Sequence, residues 1–264
     1  MRPFDLIITK NEGSVVVLEL NRPKKRNALS QGLIDELVKT LSRLDQDATV
    51  RAVVLTGSEE GPFCAGADLS ELASISTAEA FRTEWLKDLN DALDRFRKPV
   101  IAAVRGFAFG GGFELALLCD IIFASADARF GFPEITLGTI PGMGGTQRLT
   151  KTIGKQKALE LVLTGLPVTA NEMERRGVVN RVMSADEDVL QESLLIAQII
   201  AARSAPALRL AKHAVKAGKS MISTHSEGMH ANDNKPRLPP CTRVWKLRDH
   251  RITVLFHLLI AKKG

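Results

Sequence analysis

The chain of 264 residues is long enough to bury one large core, and its 45% apolar and 25% charged content excludes a disordered or fibrous protein. No uncharged apolar run approaches the ~18 residues of a membrane span, and the opening MRPFDLIITKNEG has neither a secretory h-region nor an Arg- and Ser-rich presequence. The net charge of +6 gathers late, with twelve Lys/Arg against three Asp/Glu from Ala205 onward. Such a segment can serve nucleic acid, an anionic cofactor or a solvated helix face, and the lack of interleaved aromatics or a nucleic-acid motif argues against the first.

In chain order, Leu6-Ile7-Ile8 and Val15 to Leu20 flank Asn11-Glu12-Gly13, which predicts a hairpin. The basic loop NRPKKRNALS ends at Ser30, a helix cap, and Leu33, Leu37, Leu41 and Leu44 then recur at helical spacing, giving an amphipathic helix over 31–45. Ala52 to Thr56 reads as a buried strand. FCAGADLSEL follows as an exposed-backbone loop opening a helix at Asp68 to Leu72, and Thr77 to Phe96 reads as a long helix that stops before Pro99.

The central stretch is IAAVRGFAFGGGFELALLCDI, residues 101–121. A strand, Val100 to Val104, turns at Arg105-Gly106, and Gly110-Gly111-Gly112 then precede a helical run from Phe113 to Leu118. Three glycines before a helix leave backbone N–H groups uncovered where the helix has no partners for them and its dipole is positive. The same pattern also suits a plain glycine turn that lets helix and strand pack closely. Glu114 falls in the first turn of that helix and Glu134 follows in FGFPEITLG. Either alone reads as well as a dipole-satisfied or loop acid.

Ile121 to Ala124 is again a strand, and Phe130 to Leu137 leads to IPGMGGTQRL, another glycine-rich helix start. Thr169 and Glu172 form a capping box with Gly177 as the helix stop. VVNRVM is a short strand, and 187–203 and 206–217 are the last helices. Repeated strand, glycine loop and helix argue for α/β with a layered core and no linker in the first 200 residues. Cys64, Cys119 and Cys241 lack metal-ligand spacing and read as free thiols in a reducing compartment, with no metal site.

The 101–121 stretch, FCAGADL, FGFPEITLGTIPGMGGTQRL and NRPKKRNALS together resemble, in order and spacing, the enoyl-CoA hydratase/isomerase (crotonase) family, continuously from about residue 5 to about residue 220. The resemblance is closest to a short-chain enoyl-CoA hydratase. It implies a crotonase-like right-handed spiral of ββα repeats over 1–200 and a C-terminal helical, trimerising region over 201–264, with homotrimers that often pair into hexamers. It implies an acyl-CoA substrate, CoA being part of that substrate and no separate cofactor being needed, in the cytoplasm or mitochondrial matrix. The expected reaction is hydration of trans-2-enoyl-CoA to 3-hydroxyacyl-CoA, in fatty-acid beta-oxidation or related acyl-CoA metabolism.

A thioester carbonyl that becomes enolate-like needs two donors at its oxygen, and the resemblance assigns them to the N–H groups of Ala67 and Gly111. It assigns Glu114 and Glu134 as the acid–base pair, read here as base toward water and acid toward the α-carbon, with burial and like charge raising at least one pKa. Ala67, Asp68, Leu69 and Ser70 resemble the loop along the CoA, while Arg22, Lys24 and Lys25 can meet its phosphates or simply stand in solvent. Alternatives are an isomerase, a branched-chain acyl-CoA hydratase, or a non-catalytic nucleic-acid-binding protein using the basic tail. Two retained acids favour the hydratase.

The tail departs from the family pattern from about 229. ANDNKPRLPPC carries three prolines, and Ile252-Thr253 follow Asp249-His250-Arg251 where Glu-Gly is expected. Poor order is expected from 229 to 242.

Overall fold

The computed structural model describes residues 5–74 and 86–221. The first part of the helix expected over 77–96, Cys241 and the expectation for the tail after 229 all lie outside these residues.

The hairpin forms from β1 (Ile7–Glu12) and β2 (Val15–Leu20), turning at Gly13-Ser14 with Gly13 at φ 65°. Helix α1 (Gln31–Gln46) starts where Ser30 accepts the Leu33 N–H, and its leucine stripe is fully buried. β3 (Ala52–Gly57) then pairs with β2 in parallel. A short helix α2 (Leu69–Ser74) and, beyond the undescribed segment, α3 (Lys87–Arg95) lead to β4 (Val100–Val104).

From β4 onward the chain repeats itself. After β4 comes a short strand β5 (Phe107–Phe109) and helix α4 (Gly111–Leu118), then β6 (Ile121–Ser125) and a short β7 (Arg129–Gly131). A 3-10 helix (Pro133–Leu137) stands after β7, followed by α5 (Gly145–Ile153) and α6 (Lys155–Thr164). β8 (Val168–Thr169), α7 (Ala170–Arg175), β9 (Arg181–Met183), α8 (Val189–Ala201) and α9 (Ala205–Met221) complete the described chain. Thr169 caps α7 by accepting the Glu172 N–H at 3.2 Å, and Gly177 ends that turn at φ 76°. VVNRVM is only half strand: residues 178–180 turn first, and the Asn180 side chain accepts the Ile122 N–H.

Each round gives one long strand to a six-stranded sheet, ordered β1-β2-β3-β4-β6-β9, and one short strand to a second sheet, ordered β5-β7-β8. A bridge between Cys64 and Ala108 extends the small sheet back toward β3's own loop. Apart from the β1–β2 hairpin, the large sheet is parallel. Every residue of β2, β3 and β4 is buried, as a parallel sheet covered on both faces requires. Side chains of alternate residues sort accordingly. Val16, Leu18, Val53, Leu55 and Ala102 join the core with α1, α3 and α4, and Val15, Val17, Val54, Ile101 and Ala103 pack on α8.

Helix α4 sits inside this arrangement, and all its residues except the half-buried Leu117 are buried. A Cβ at Gly112 would stand 2.4 Å from the Cys64 carbonyl oxygen, so only glycine lets the helix approach the 64–67 loop this closely. Helix α9 is fastened to the body by Lys212, whose Nζ lies 2.6 Å from the Asp120 carboxylate and 2.7 Å from the Lys98 carbonyl. Among the described residues no single helix is long and apolar enough to cross a membrane.

Candidate active site

The loop from Cys64 to Asp68 is held against two other segments. Leu29 bridges Ala67 in strand fashion: the Leu29 N–H donates to the Gly66 carbonyl at 2.8 Å, and the Asp68 N–H donates to the Leu29 carbonyl at 2.9 Å. Because the bridge uses the groups on either side of Ala67, its own N–H points the opposite way. On that side the loop meets the start of α4. A Cβ at Gly66 (φ 95°) would stand 2.7 Å from the Phe109 carbonyl oxygen, and one at Gly111 would lie 3.6 Å from the Ala67 nitrogen. Gly111 is the first residue of α4, where a helix leaves its N–H groups unpaired. Neither the Ala67 nor the Gly111 N–H has an acceptor among the described residues. Two free backbone donors thus border one spot at a helix N-terminus.

Glu114 lies one turn further along α4 and is 1% exposed. Its Oε1 accepts the N–H groups of Met143 and Gly145, both at 2.7 Å. Gly145 opens α5, so here an unpaired helix-start donor is spent on a carboxylate. A Cβ at Gly145 would fall 2.7 Å from Glu114 Cγ. The second oxygen, Oε2, is buried and has no partner. Burial pushes the Glu114 carboxyl up to about 7, with the N–H groups of Gly145, Met143 and Gly142 and the Arg148 charge working against it.

Glu134 stands on the 3-10 helix after Pro133. Its Oε1 lies where a Cβ on Gly110 would come within 2.9 Å, and its Oε2 is also buried without a partner. Burial raises its carboxyl to about 7, and the Glu114 charge adds to the rise. Gly110, at φ 53° and ψ −127°, makes this approach possible: it is the helix cap, and its missing side chain is the space the Glu134 carboxylate borders. Two acids that each keep a buried, partnerless oxygen, and that feel each other's charge, have the electrostatics of an acid–base pair.

Asp68 is buried and already engaged. Arg22 Nη2 donates to its Oδ2 at 2.9 Å, and the Ser70 N–H and hydroxyl donate to Oδ1 at 3.1 and 2.5 Å. Those bonds hold its carboxyl down at about 2, the Ser70 hydroxyl having the largest effect. Arg22 is committed in the same way, with Nη1 donating to the Ala28 carbonyl. Lys24 and Lys25 are exposed, as are Leu69 and Ser70. Cys64 is fully buried beneath the loop, its thiol donating to the Asn27 carbonyl at 3.1 Å and pushed up to about 12 by burial. Among the described residues no group of three or more His, Cys, Asp or Glu side chains is placed to hold a metal ion.

Residues 10–235 match the family model for enoyl-CoA hydratase/isomerase. The chain belongs to this family. A relative from Dictyostelium discoideum, named probable enoyl-CoA hydratase, mitochondrial, is 47% identical over 228 residues, spanning 86% of this chain and 80% of the relative. A short-chain-enoyl-CoA hydratase from Clostridium acetobutylicum is 41% identical over 213 residues, 80% of this chain and 81% of the relative. The crystal structure of an enoyl-CoA hydratase from Bacillus anthracis superposes with a TM-score of 0.77 at 36% identity, covering 85% of this chain and 90% of that one. The two-sheet spiral described above is the crotonase fold of these enoyl-CoA hydratases.

Sequence reasoning singled out Glu114, Glu134, Ala67 and Gly111, and the fold brings these four residues into one region. It missed Met143 and Gly145 as the groups that hold Glu114. The available signal was IPGMGGTQRL, read only as a helix start. It also missed the Arg22–Asp68 ion pair, which joins residues 46 apart in sequence.

Proposed function

We propose that this chain is a hydro-lyase that adds water across the double bond of trans-2-enoyl-CoA thioesters, giving 3-hydroxyacyl-CoA. The observation that carries this reading is the pairing of a buried and a half-buried carboxyl, each with one buried partnerless oxygen and both raised to about 7, beside two backbone N–H groups without acceptors. At neutral pH such a pair holds close to one proton, which supplies a base and an acid together.

In the proposed reaction the thioester oxygen accepts from the Ala67 and Gly111 N–H groups, which favour the charge that gathers there as the bond to carbon 3 forms. Ionised Glu114 takes a proton from water, and the water oxygen bonds to carbon 3. The electron pair of the double bond moves toward carbon 2, which takes the proton of Glu134. Glu114 ends protonated and Glu134 ionised, and a proton passing between them through solvent restores the pair. No electrons are exchanged with an outside group, so the chemistry asks for no cofactor beyond the CoA carried by the substrate. Asp68 acts here through loop shape, because its oxygens are occupied by Arg22 and Ser70.

The isomerase alternative needs one carboxyl to carry a proton between two carbons. Two carboxyls, each with an oxygen free for water, support hydration instead. The rest of the reading is a homotrimer or homohexamer, with residues 1–200 as the catalytic spiral and 201–264 as the C-terminal assembly region. Exposed Ile135, Leu137, Leu159 and Leu163 are apolar surface that subunit contact can cover. The mitochondrial name of the Dictyostelium discoideum relative and the free thiols of Cys64 and Cys119 support a reducing compartment such as the mitochondrial matrix or cytoplasm. The test is loss of the conjugated-thioester absorbance with crotonyl-CoA and longer 2-enoyl-CoAs. A protein that leaves these unchanged yet shifts the double bond of 3-enoyl-CoA is an isomerase.

A further inference from the structure

Arg148 lies on α5 and touches none of the groups assigned above to the thioester, the water or the two protons. Its guanidinium spans two elements. Nη1 donates to the Met143 carbonyl at 2.7 Å, and Nη2 donates to Asn90 Oδ1 on α3 at 2.9 Å. It also comes close to Gly144 (φ 84°), where a Cβ would stand 2.5 Å from Nη1. The residues it clamps, 143–145, are those whose N–H groups hold Glu114 Oε1. A chain of direct bonds therefore runs from α3 through Asn90, Arg148 and the 143–145 backbone to the carboxylate.

Arg148 is half-buried, and among the described residues no ion pair involves it. The acids that face it are Asp94 from α3 and Glu114 from α4, both acting through space. Glu114 in turn feels the Arg148 charge, and its own charge acts on the Glu134 carboxyl.

We propose that Arg148 is a positioning residue for hydration, fixing the 143–145 segment so that Glu114 keeps one oxygen tied and the other free for water. This rests on the hydratase reading. It separates two roles that Glu114's partners play: the N–H groups fix where the carboxylate is, and the guanidinium fixes where the N–H groups are. The guanidinium adds charge that favours the ionised acid.

The test compares kcat and KM for crotonyl-CoA across pH in the wild type, Arg148→Met, Arg148→Lys and Asn90→Ala. Arg148→Met is expected to lower kcat by ~10²-fold, the scale of a misplaced catalytic group, with KM changed by less than about threefold. Its acidic limb should move to higher pH, since Glu114 loses a nearby positive charge. Arg148→Lys keeps charge but not the two-ended reach, so it should restore the limb more fully than kcat. Asn90→Ala leaves the guanidinium in place, and should lower kcat by roughly tenfold with the limb unmoved. A folded Arg148→Met protein with wild-type kcat and limb overturns the proposal. Should that variant not fold, Asn90→Ala decides alone, and an unchanged kcat there overturns it. An inert wild type overturns the hydratase reading and this inference with it, whereas an active wild type with indifferent variants overturns this inference only.

Discussion

Glu114 stands in the first turn of a helix buried on nearly every side, whereas Glu134 stands on a 3-10 helix whose next exposed residues, Ile135 and Leu137, face solvent. The helix region gives Glu114 deeper burial and then offsets part of its cost with two N–H groups at 2.7 Å. The 3-10 region buries Glu134 less, supports it only by its own backbone N–H, and sets it within the field of Glu114. Both carboxyls arrive at about 7. Similar acidity is thus reached by different means, which accords with the different roles proposed above for the two acids.

The comparison breaks most sharply if the acids are neutralised one at a time. Glu134→Gln and Glu114→Gln are each expected to lower kcat for crotonyl-CoA by ~10³-fold, within the range for a lost general acid or base. The double variant should be only slightly worse than either single one, because the pair acts as a unit. Fully additive losses in steady-state kinetics would show two independent groups.

Next in size is Gly111→Pro, which removes one backbone donor while leaving both acids intact. Proline suits the first position of a helix, and the nearest obstacle to a Cβ there is the tip of Leu29 at 3.3 Å. A loss of ~10²-fold or more in kcat is expected for one oxyanion donor, with folding checked by circular dichroism and the pH limbs unmoved. A shifted limb would tie this donor to the carboxyl pair rather than to the thioester.

The smallest effect sharpens the comparison through stability. A carboxyl whose folded pKa is raised favours the folded state below the unfolded value and loses that advantage as pH rises through the folded one. From 4.5 toward about 7 both acids therefore destabilise the fold progressively. Above about pH 7, Glu134→Gln should gain ~2 kcal/mol in denaturant melts, on the scale of 1.36 kcal/mol for each pKa unit. Glu114→Gln should gain a similar amount or less, since an amide oxygen accepts the Met143 and Gly145 N–H groups less strongly than a carboxylate. Below about pH 4.5 both variants should match the wild type. Variants equal to the wild type at every pH would mean that the two carboxyls are solvated in the folded state.

Much of this protein was legible along the chain because local patterns carry it. Leu33, Leu37, Leu41 and Leu44 mark one face of a helix, unbroken apolar runs mark strands buried on both sides, and Gly110-Gly111-Gly112 with Glu114 mark a bare helix start bearing an acid. Motif resemblance reached further, to Ala67 and Glu134. What only the tertiary structure decided is how those pieces are held. Met143 and Gly145 act through backbone N–H groups, which every non-proline residue has, so no side chain announces them. Arg22 could meet phosphates or stand in solvent by sequence, and only the fold shows its bond to Asp68, just as only the fold shows the span of Arg148 from Asn90 to Met143. The pKa of either glutamate is likewise absent from the sequence, since it depends on burial and on charges brought close by parallel strands stacked round after round. A spiral fold puts distant residues beside one another at each turn, and that proximity is set by packing rather than by order in the chain.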